Sequence, residues 1–361
     1  MSRRLRMFGP RGLMGIGVHL AQIKAQLEMF RGCFGVVEHF HDRVAIEVRQ
    51  AIASSVSSDI NLFFGDADFA VALKGLKLYW VVFESSRPPP GSKKWLERYD
   101  LLVSPSQWGK DCLVQEGLDP ARIAVVPEGV DPYRFHPFSR RKETSDPSRP
   151  LRFLMMGKYE TRKAYKQAFE AFDMAFGTSK DVQLLIKPEW ISESRVMMAP
   201  DCLALIQRYK HLSIRWVQGL LSEEALSDLY TQVDVFLFPS MGEGWGLPLI
   251  EAMACGTPAV CTVWSGQSEY LLGVQDAIWP IPFRLQAVQC PKWLADHHYS
   301  DQSLPQWAMP DVAGLAGQLQ AVASVSANER AGAGRRASEH VRKHFTWQQA
   351  ADKFIDLVNT I

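Results

Sequence analysis

In "GEGWGLPLIEAMACGTPAV" (242–260), Glu243 and Glu251 are separated by seven residues, which include two glycines, a tryptophan and a proline. Glycine lets a backbone close tightly around a ligand, and Pro248 suits the opening turn of a helix, where its missing N–H costs nothing. The stretch predicts a strand "VDVFLFPS", a turn, and a helix with Glu251 in its first turn. The amides of Gly244, Trp245, Gly246 and Leu247 would then project from a helix N-terminus, a natural anion site. Glu251 is placed to accept hydrogen bonds from a vicinal diol such as ribose, and Glu243 to reach another part of the same ligand. A nucleotide-diphosphate sugar needs these three features: amides for phosphate, one carboxylate for ribose, one for sugar hydroxyls. The plainer reading makes Glu251 a partner of the helix dipole and the glycines a simple turn. A second glutamate at this spacing weighs against it.

"GKYETRKAY" (157–165) supplies cations at the end of another strand. Lysines at a helix start oppose its dipole, so Lys158 and Lys163 require a reason to be there. A diphosphate leaving group gains negative charge as the glycosidic bond breaks. Preorganised cations stabilise that charge without a metal. Arg162 is expected to be a solvated neighbour. "LYWVVFESSRPPPG" ends a buried strand in a polar turn that carries Glu84, which either orients an acceptor hydroxyl or caps the loop. The amides of Gly15 to Gly17 either face the donor or serve helix–strand packing. His19 is expected in the core. Asp66 and Asp68 in "GDAD" read as turn formers rather than metal ligands. His297 and His298 are adjacent, point apart on most backbones, and are left as loop residues.

Short β-rich runs alternate with helical ones on both sides of a break. "RRLRMF", "CFGVVEHF", "INLFF", "LKLYWVVF", "DLLVS" and "IAVVP" precede it, with helices over "GLMGIGVHLAQIKAQLEMF", "DRVAIEVRQAIAS" and a segment opened by Ser106. "LRFLMMG", "VQLLIK", "SIRWVQG", "VDVFLFP" and "PAVCTV" follow it. That alternation implies parallel sheets with helices on both faces, hence an α/β chain of two doubly wound, Rossmann-like domains facing a cleft. Ligands in such sheets sit beyond the carboxyl ends of the strands, where strand order reverses. The expected division is 1–130 for the acceptor-side domain, a proline-containing linker at 131–150, a donor-binding domain at 151–345, and a helix at 346–361 packing back on the first. The aromatic-containing stretch 283–311 is a long loop, either a lid or surface packing.

The 361 residues suit two domains, and 47% apolar with 22% charged residues is ordinary for a globular protein. Lysine and arginine number 40 against 39 acids, so the net charge of +1 gives no bulk electrostatic case for nucleic acid. Six cysteines without a Cys-x-x-Cys pair read as free, mostly buried thiols in a reducing compartment. The basic start lacks the apolar stretch of a signal peptide, and no apolar run approaches a bilayer span. A cytoplasmic protein is expected, with peripheral contact to a membrane surface left open.

Taken together, these motifs resemble the nucleotide-sugar glycosyltransferases of family 4. Glu243 to Glu251, followed by "AMACGTPAV", matches the family's Glu-x7-Glu signature. "GKYETRKAY" is similar to its strand-end Gly-Arg-x4-Lys, with Lys158 in place of the arginine and Lys163 in the expected position. "PEGVD" (127–131) resembles its "NGVD", with Glu128 for asparagine, and "WSGQSEYL" (264–271) its "GG-x-x-E" turn, with Ser265 for the first glycine. "GLMGIGVHL" occupies the place of the N-terminal glycine loop, and many members carry histidine in the region of Glu84. The resemblance runs from near residue 9 to near residue 350. It implies the GT-B fold and a retaining, metal-independent hexosyltransferase that uses no cofactor beyond its donor. Lys158 and Lys163 would hold the diphosphate, Glu243 the sugar, and Glu251 the ribose. The "GK-x-E-x-RK" variant and "QWAMPD" resemble bacterial mannosyltransferase-like members, which implies GDP-mannose first and UDP-hexoses next. The implied acceptor is a sugar, lipid-linked or in a polysaccharide. A GT-B epimerase, a donor hydrolase and a non-catalytic partner subunit are the competing functions.

Overall fold

The computed structural model describes residues 3–10, 15–29, 34–41, 44–65, 67–137, 149–189, 200–290, 294 and 304–361. The chain divides into two compact units. The first holds residues up to Gly129 together with Phe345–Ile361; the second holds Val130–Pro291 and Leu304–His344.

Strands of the first unit are β1 (Arg3–Phe8), β2 (Phe34–Phe40), β3 (Ile60–Phe63), β4 (Leu76–Trp80), β5 (Leu101–Ser104) and β6 (Ile123–Val125). They form one parallel sheet in the order β2-β1-β3-β4-β5-β6. Helices α1 (Ile16–Met29), α2 (Ala45–Ser54), α3 (Ser92–Leu96) and α4 (Gln107–Gln115) connect them. The strands are short, and their inner portions are buried because both faces are covered; all four residues of β3 are buried. Ser106 opens α4 by accepting a hydrogen bond from the Gly109 N–H at 3.0 Å, the capping that its side chain is suited to. One core layer gathers Phe8, Phe63, Tyr79, Tyr99, Leu102 and Leu113.

The second unit contains β7 (Leu151–Lys158), α5 (Tyr165–Phe176), β8 (Val182–Glu189), α6 (Pro200–Arg208), β9 (Ile214–Trp216), α7 (Glu223–Thr231) and β10 (Val235–Phe238). It continues with α8 (Leu247–Ala254), β11 (Ala259–Cys261), α9 (Ser268–Leu271) and β12 (Ile278–Pro280). The parallel order is β12-β11-β10-β7-β8-β9. Phe153 and Met155 of β7 pack with Phe169 and Phe172 of α5 and with Leu315 and Leu319 of α10 (Val312–Ser324). Each such side chain contributes about 1.5–3 kcal/mol by leaving water. Helix α11 (Ala327–His344) closes this unit, and α12 (Trp347–Asn359) belongs to the first. There Trp80 stacks on Phe354 at 5.9 Å, and Arg3 donates to the Val358 carbonyl. No described helix is long and apolar enough to cross a membrane.

Two segments differ from expectation. Within the stretch read as a linker, residues 131–137 are packed into the second unit: Phe135 is buried, Ser227 donates to the Arg134 carbonyl, and Arg134 pairs with Glu223. Its proline content reflects turns rather than freedom; residues 138–148 lie outside the described set. The 283–311 loop is in its described part an antiparallel hairpin of β13 (Phe283–Ala287) and β14 (Gln306–Pro310), with Trp307 buried. "QWAMP" is therefore a strand, whose partner stands too far away in sequence to be recognised by spacing.

Candidate functional site

In the second sheet β7 is followed outward by β8 and β9 on one side, while β10, β11 and β12 extend on the other. The order reverses between β7 and β10, which are direct neighbours. Such a reversal opens a crevice beyond the carboxyl ends of the two strands. Lys158 is the last residue of β7, a single 3-10 turn over Thr161–Lys163 follows it, and the glycine turn follows β10. Two motifs 80 residues apart thus meet by topology.

Their meeting point is Glu243, which is buried. Lys163 Nζ donates to its Oε1 at 2.6 Å, Arg162 Nη1 lies 2.9 Å from the same oxygen, and the Ser240 hydroxyl donates to it as well. Burial alone would raise the Glu243 carboxyl. The charges of Arg162 and Lys163, with hydrogen bonds from Lys163 and Ser240, outweigh that effect and hold it below the usual carboxylate range. Lys163 also sits 5.3 Å over the Phe238 ring.

The turn is held from two sides. The Glu243 N–H donates to Ser265 Oγ at 2.9 Å, and the Gly266 N–H donates to the Glu243 carbonyl at 3.0 Å. A Cβ on Gly266 would stand 1.8 Å from the Gly244 carbonyl oxygen, so only glycine permits this approach. "WSGQSEYL" is in this way the clamp of the glutamate turn. Gly246, at φ 91°, precedes α8, and Pro248 falls in its first turn. Among the described residues the N–H groups of Gly244, Gly246 and Leu247 meet no acceptor, which leaves them as donors for an anion. The Trp245 indole is buried beside Tyr270 at 5.1 Å between ring centroids, so packing occupies this side chain.

Two placements are corrected. Arg162, expected in solvent, is buried at 4% exposure; its Nη1 donates to the Gly242 carbonyl at 2.6 Å, and its own carbonyl accepts from the Met241 N–H. A cation can be enclosed here because Glu243 and a carbonyl neutralise and saturate it. Glu251 lies in the second turn of α8 rather than the first, since the helix begins at Leu247. Its Oε2 accepts from the Tyr230 hydroxyl at 2.9 Å. Lys158 is half-buried, and among the described residues its ammonium makes no ion pair.

On the first unit, Gly15 adopts φ 54° at the head of α1. Gly17 is buried and lines a cavity of about 360 Å³ with Leu20, Lys24 and His39. Glu84 is half-buried beyond the carboxyl end of β4 and has polar company of its own. His19 is in the core as expected, edge-on to Trp80 at 4.6 Å, with Nδ1 3.0 Å from Glu128. Cys112, Cys202, Cys255 and Cys261 are buried free thiols; burial pushes Cys112 and Cys261 up to about 12. Asp68 faces Arg98 at 3.2 Å, while Cys33, Asp66, His297 and His298 lie outside the described residues. Among the described residues, no three His, Cys, Asp or Glu side chains are grouped to hold a metal.

Sequence reasoning missed Arg162, Ser240 and Tyr230 as members of the site. It also missed Lys187, buried on β8 beside β7. For Arg162 the available signal was its place beside Lys163; for Tyr230 there was none.

Residues 138–272 match the family model of "Glycosyl transferases group 1". The chain is 27% identical over 200 residues to mannosylfructose-phosphate synthase of Agrobacterium fabrum, covering 51% of this chain and 42% of that protein. It is 33% identical over 115 residues to the serotype-specific mannosyltransferase WbdA of Escherichia coli, 30% of this chain and 13% of that one. The chain thus spans less than half the length of either relative. A crystal structure of Anabaena HepE in complex with UDP and glucose superimposes with a TM-score of 0.72 at 13% identity, over 99% of this chain and 100% of that one. At that identity the likeness shows the fold, GT-B.

Proposed function

We propose that the chain, whose residues 138–272 match the group 1 glycosyl transferases and whose fold is GT-B, moves a hexosyl group from a nucleotide-diphosphate sugar to an acceptor hydroxyl. The observation that carries this reading is the meeting of Lys163, the ionised Glu243 and the turn with the open amides of Gly244, Gly246 and Leu247 at one strand-order reversal, with Lys158 at the end of the adjoining strand β7. Cations and amides gathered there favour a diphosphate, and a buried carboxylate beside them favours a ring that turns cationic as its bond to phosphate lengthens.

Transfer breaks the bond between the anomeric carbon and the β-phosphate oxygen and forms one from the same carbon to the acceptor oxygen. The departing phosphate oxygen takes the acceptor proton on the same face, so configuration is retained and no carboxylate nucleophile is needed. Lys158 and Lys163 stabilise the leaving diphosphate in place of a metal. Glu243 positions the sugar, and Glu251 accepts from the ribose diol with its carboxylate oriented by Tyr230. The acceptor is a sugar, lipid-linked or in a polysaccharide. The mannosyl names of the two relatives favour GDP-mannose. The nucleotide and sugar in the Anabaena complex favour UDP-hexoses as the second choice. Buried free thiols suit work in the reducing cytoplasm.

The test is product formation by folded Lys163→Ala and Glu243→Ala across a panel of nucleotide sugars, with and without chelator. Each variant should lose about 10²–10³ in rate, and EDTA should leave the wild type active. Near-normal rates in both variants would sink the assignment of the site; inhibition by EDTA that added metal reverses would sink the metal-free step.

A further inference from the structure

Glu243 presents one oxygen to two cations, and the two are held very differently. Lys163 reaches it through a flexible stem that passes over Gly157, where a Cβ would come within 3.3 Å of Lys163 Cε. Arg162 is fixed at three further points: Nη1 on the Gly242 carbonyl at 2.6 Å, Nη2 on Glu160 Oε2 at 3.3 Å, and its own carbonyl on the Met241 N–H at 2.8 Å. A lysine is a mobile point charge, whereas the planar guanidinium is a rigid fork. If Lys163 is to neutralise a diphosphate, it must give up part or all of its bond to Glu243. The carboxylate left behind is buried, and a buried charge without a partner takes up a proton or recaptures its cation.

We propose that Arg162 is a positioning residue of the donor site, the fixed counter-ion that keeps Glu243 ionised and in place while Lys163 transfers to the incoming diphosphate. This rests on the reading of the site as one for a nucleotide-diphosphate sugar. Glu243 is then a placeholder for the phosphate until the donor arrives, and Arg162 is what makes the exchange reversible. Among the described residues the charged groups at Glu243 are Arg162 and Lys163 from the 161–163 turn. Ser240 and Ser265 add uncharged hydroxyls from the loops after β10 and β11, and Glu160 faces the other edge of Arg162.

The experiment is calorimetric binding of GDP and UDP to the full chain between pH 5 and pH 8. It compares wild type, Arg162→Met, Arg162→Lys, Glu243→Gln and the double variant Arg162→Met/Glu243→Gln. Without Arg162, moving Lys163 leaves Glu243 bare, so binding must bring in a proton. Arg162→Met should bind roughly tenfold to a hundredfold more weakly at pH 8, with the gap to wild type narrowing as pH falls. Taking that difference cancels the nucleotide's own titration. Relative to Arg162→Met, Arg162→Lys should restore part of the affinity and flatten the gap, because it returns the charge without the rigid fork. In the Glu243→Gln background, where no buried carboxylate waits, Arg162→Met should cost little. That pair also decides the matter if Arg162→Met alone fails to fold. A loss of equal size at every pH, or one that persists undiminished with glutamine at 243, overturns the role of Arg162. Wild type that binds neither nucleotide overturns the donor reading itself.

Discussion

Each unit buries a cluster of opposite charges, and the contrast between the two separates scaffold from site. In the first, wholly buried Arg6 lies 3.4 Å from Asp59 and 3.5 Å from Glu38, and donates to the Ala51 carbonyl and to Ser54 Oγ; its guanidinium also stands 5.0 Å over the Phe40 ring. Arg4 adds two hydrogen bonds to Asp59, at 2.7 and 3.0 Å. In the second, Arg162 and Lys163 flank Glu243. Asp59 precedes β3 and Ala51 and Ser54 end α2, so the first cluster ties down the amino-terminal side of its sheet. The second stands past the carboxyl ends of β7 and β10, beside amides with no acceptor among the described residues. Burial of charge is therefore no mark of function. Position at the order reversal, and a counter-ion able to leave, are what set Glu243 apart.

The largest expected effect sharpens this difference. Arg6→Met leaves Asp59 buried with Arg4 as its remaining cation and strips a hydrogen bond from the Ala51 carbonyl. Losing one partner of a buried pair costs about 3–5 kcal/mol, so denaturant unfolding should shift by that order. The rate per folded molecule should stay within about twofold, because among the described residues the partners of Arg6 are not those of Glu243. If Arg6→Met unfolds normally but transfers slowly, the division between scaffold and site fails.

How far the chain could be read in advance follows the same line. The strand and helix pattern was legible because each element states its own period, and Glu243, Lys163 and the glycine turn because their spacing is local. Arg162 was not. A charged residue is solvated unless something distant pays for its burial, and here that is Glu243 and a carbonyl 80 residues on. The same holds for residues 131–137, whose composition suggests freedom while Phe135 is packed, and for β14, whose partner β13 lies beyond a long connection. Glu251 falls in the second turn because α8 already begins at Leu247, directly after Gly246, one residue before the proline that marks its first turn. Apart from Glu251, what was missed is in each case a long-range contact, which no local period encodes.

Acid should blur the comparison in a defined way. Burial would raise both Asp59 and Glu243, yet Arg4 in one cluster and Arg162 with Lys163 in the other hold them below their ordinary 3.8 and 4.5. A carboxylate depressed by folding adds stability above its unfolded pKa and loses it as pH falls through the folded value. Wild type should therefore weaken more steeply than Glu243→Gln below pH 4.5, by at most about 1.4 kcal/mol per pH unit for the one proton. Asp59→Asn should flatten the curve in the same manner, from about 3.8 downward. Unfolding by denaturant from pH 7 to pH 3 reads both. Parallel curves for wild type and Glu243→Gln would mean that Glu243 is not ionised in the folded protein.

The smallest effect probes the other glutamate. Tyr230 donates to Glu251 Oε2 at 2.9 Å, and Glu251 is half-buried, so loss of that hydroxyl in Tyr230→Phe should cost only about 1 kcal/mol of stability. Its kinetic signature carries more. Ribose stays attached to the diphosphate and does not change along the reaction, so a carboxylate that holds it binds ground and transition states alike. Loosening such a contact raises KM and spares kcat. Tyr230→Phe should thus raise KM for the donor roughly three- to tenfold with kcat within twofold of wild type, the reverse of what Lys163→Ala does by failing the leaving group. A drop in kcat with unchanged KM would move Glu251 from the ribose to the reacting carbon, and the two glutamates of the turn would then share one task instead of dividing two.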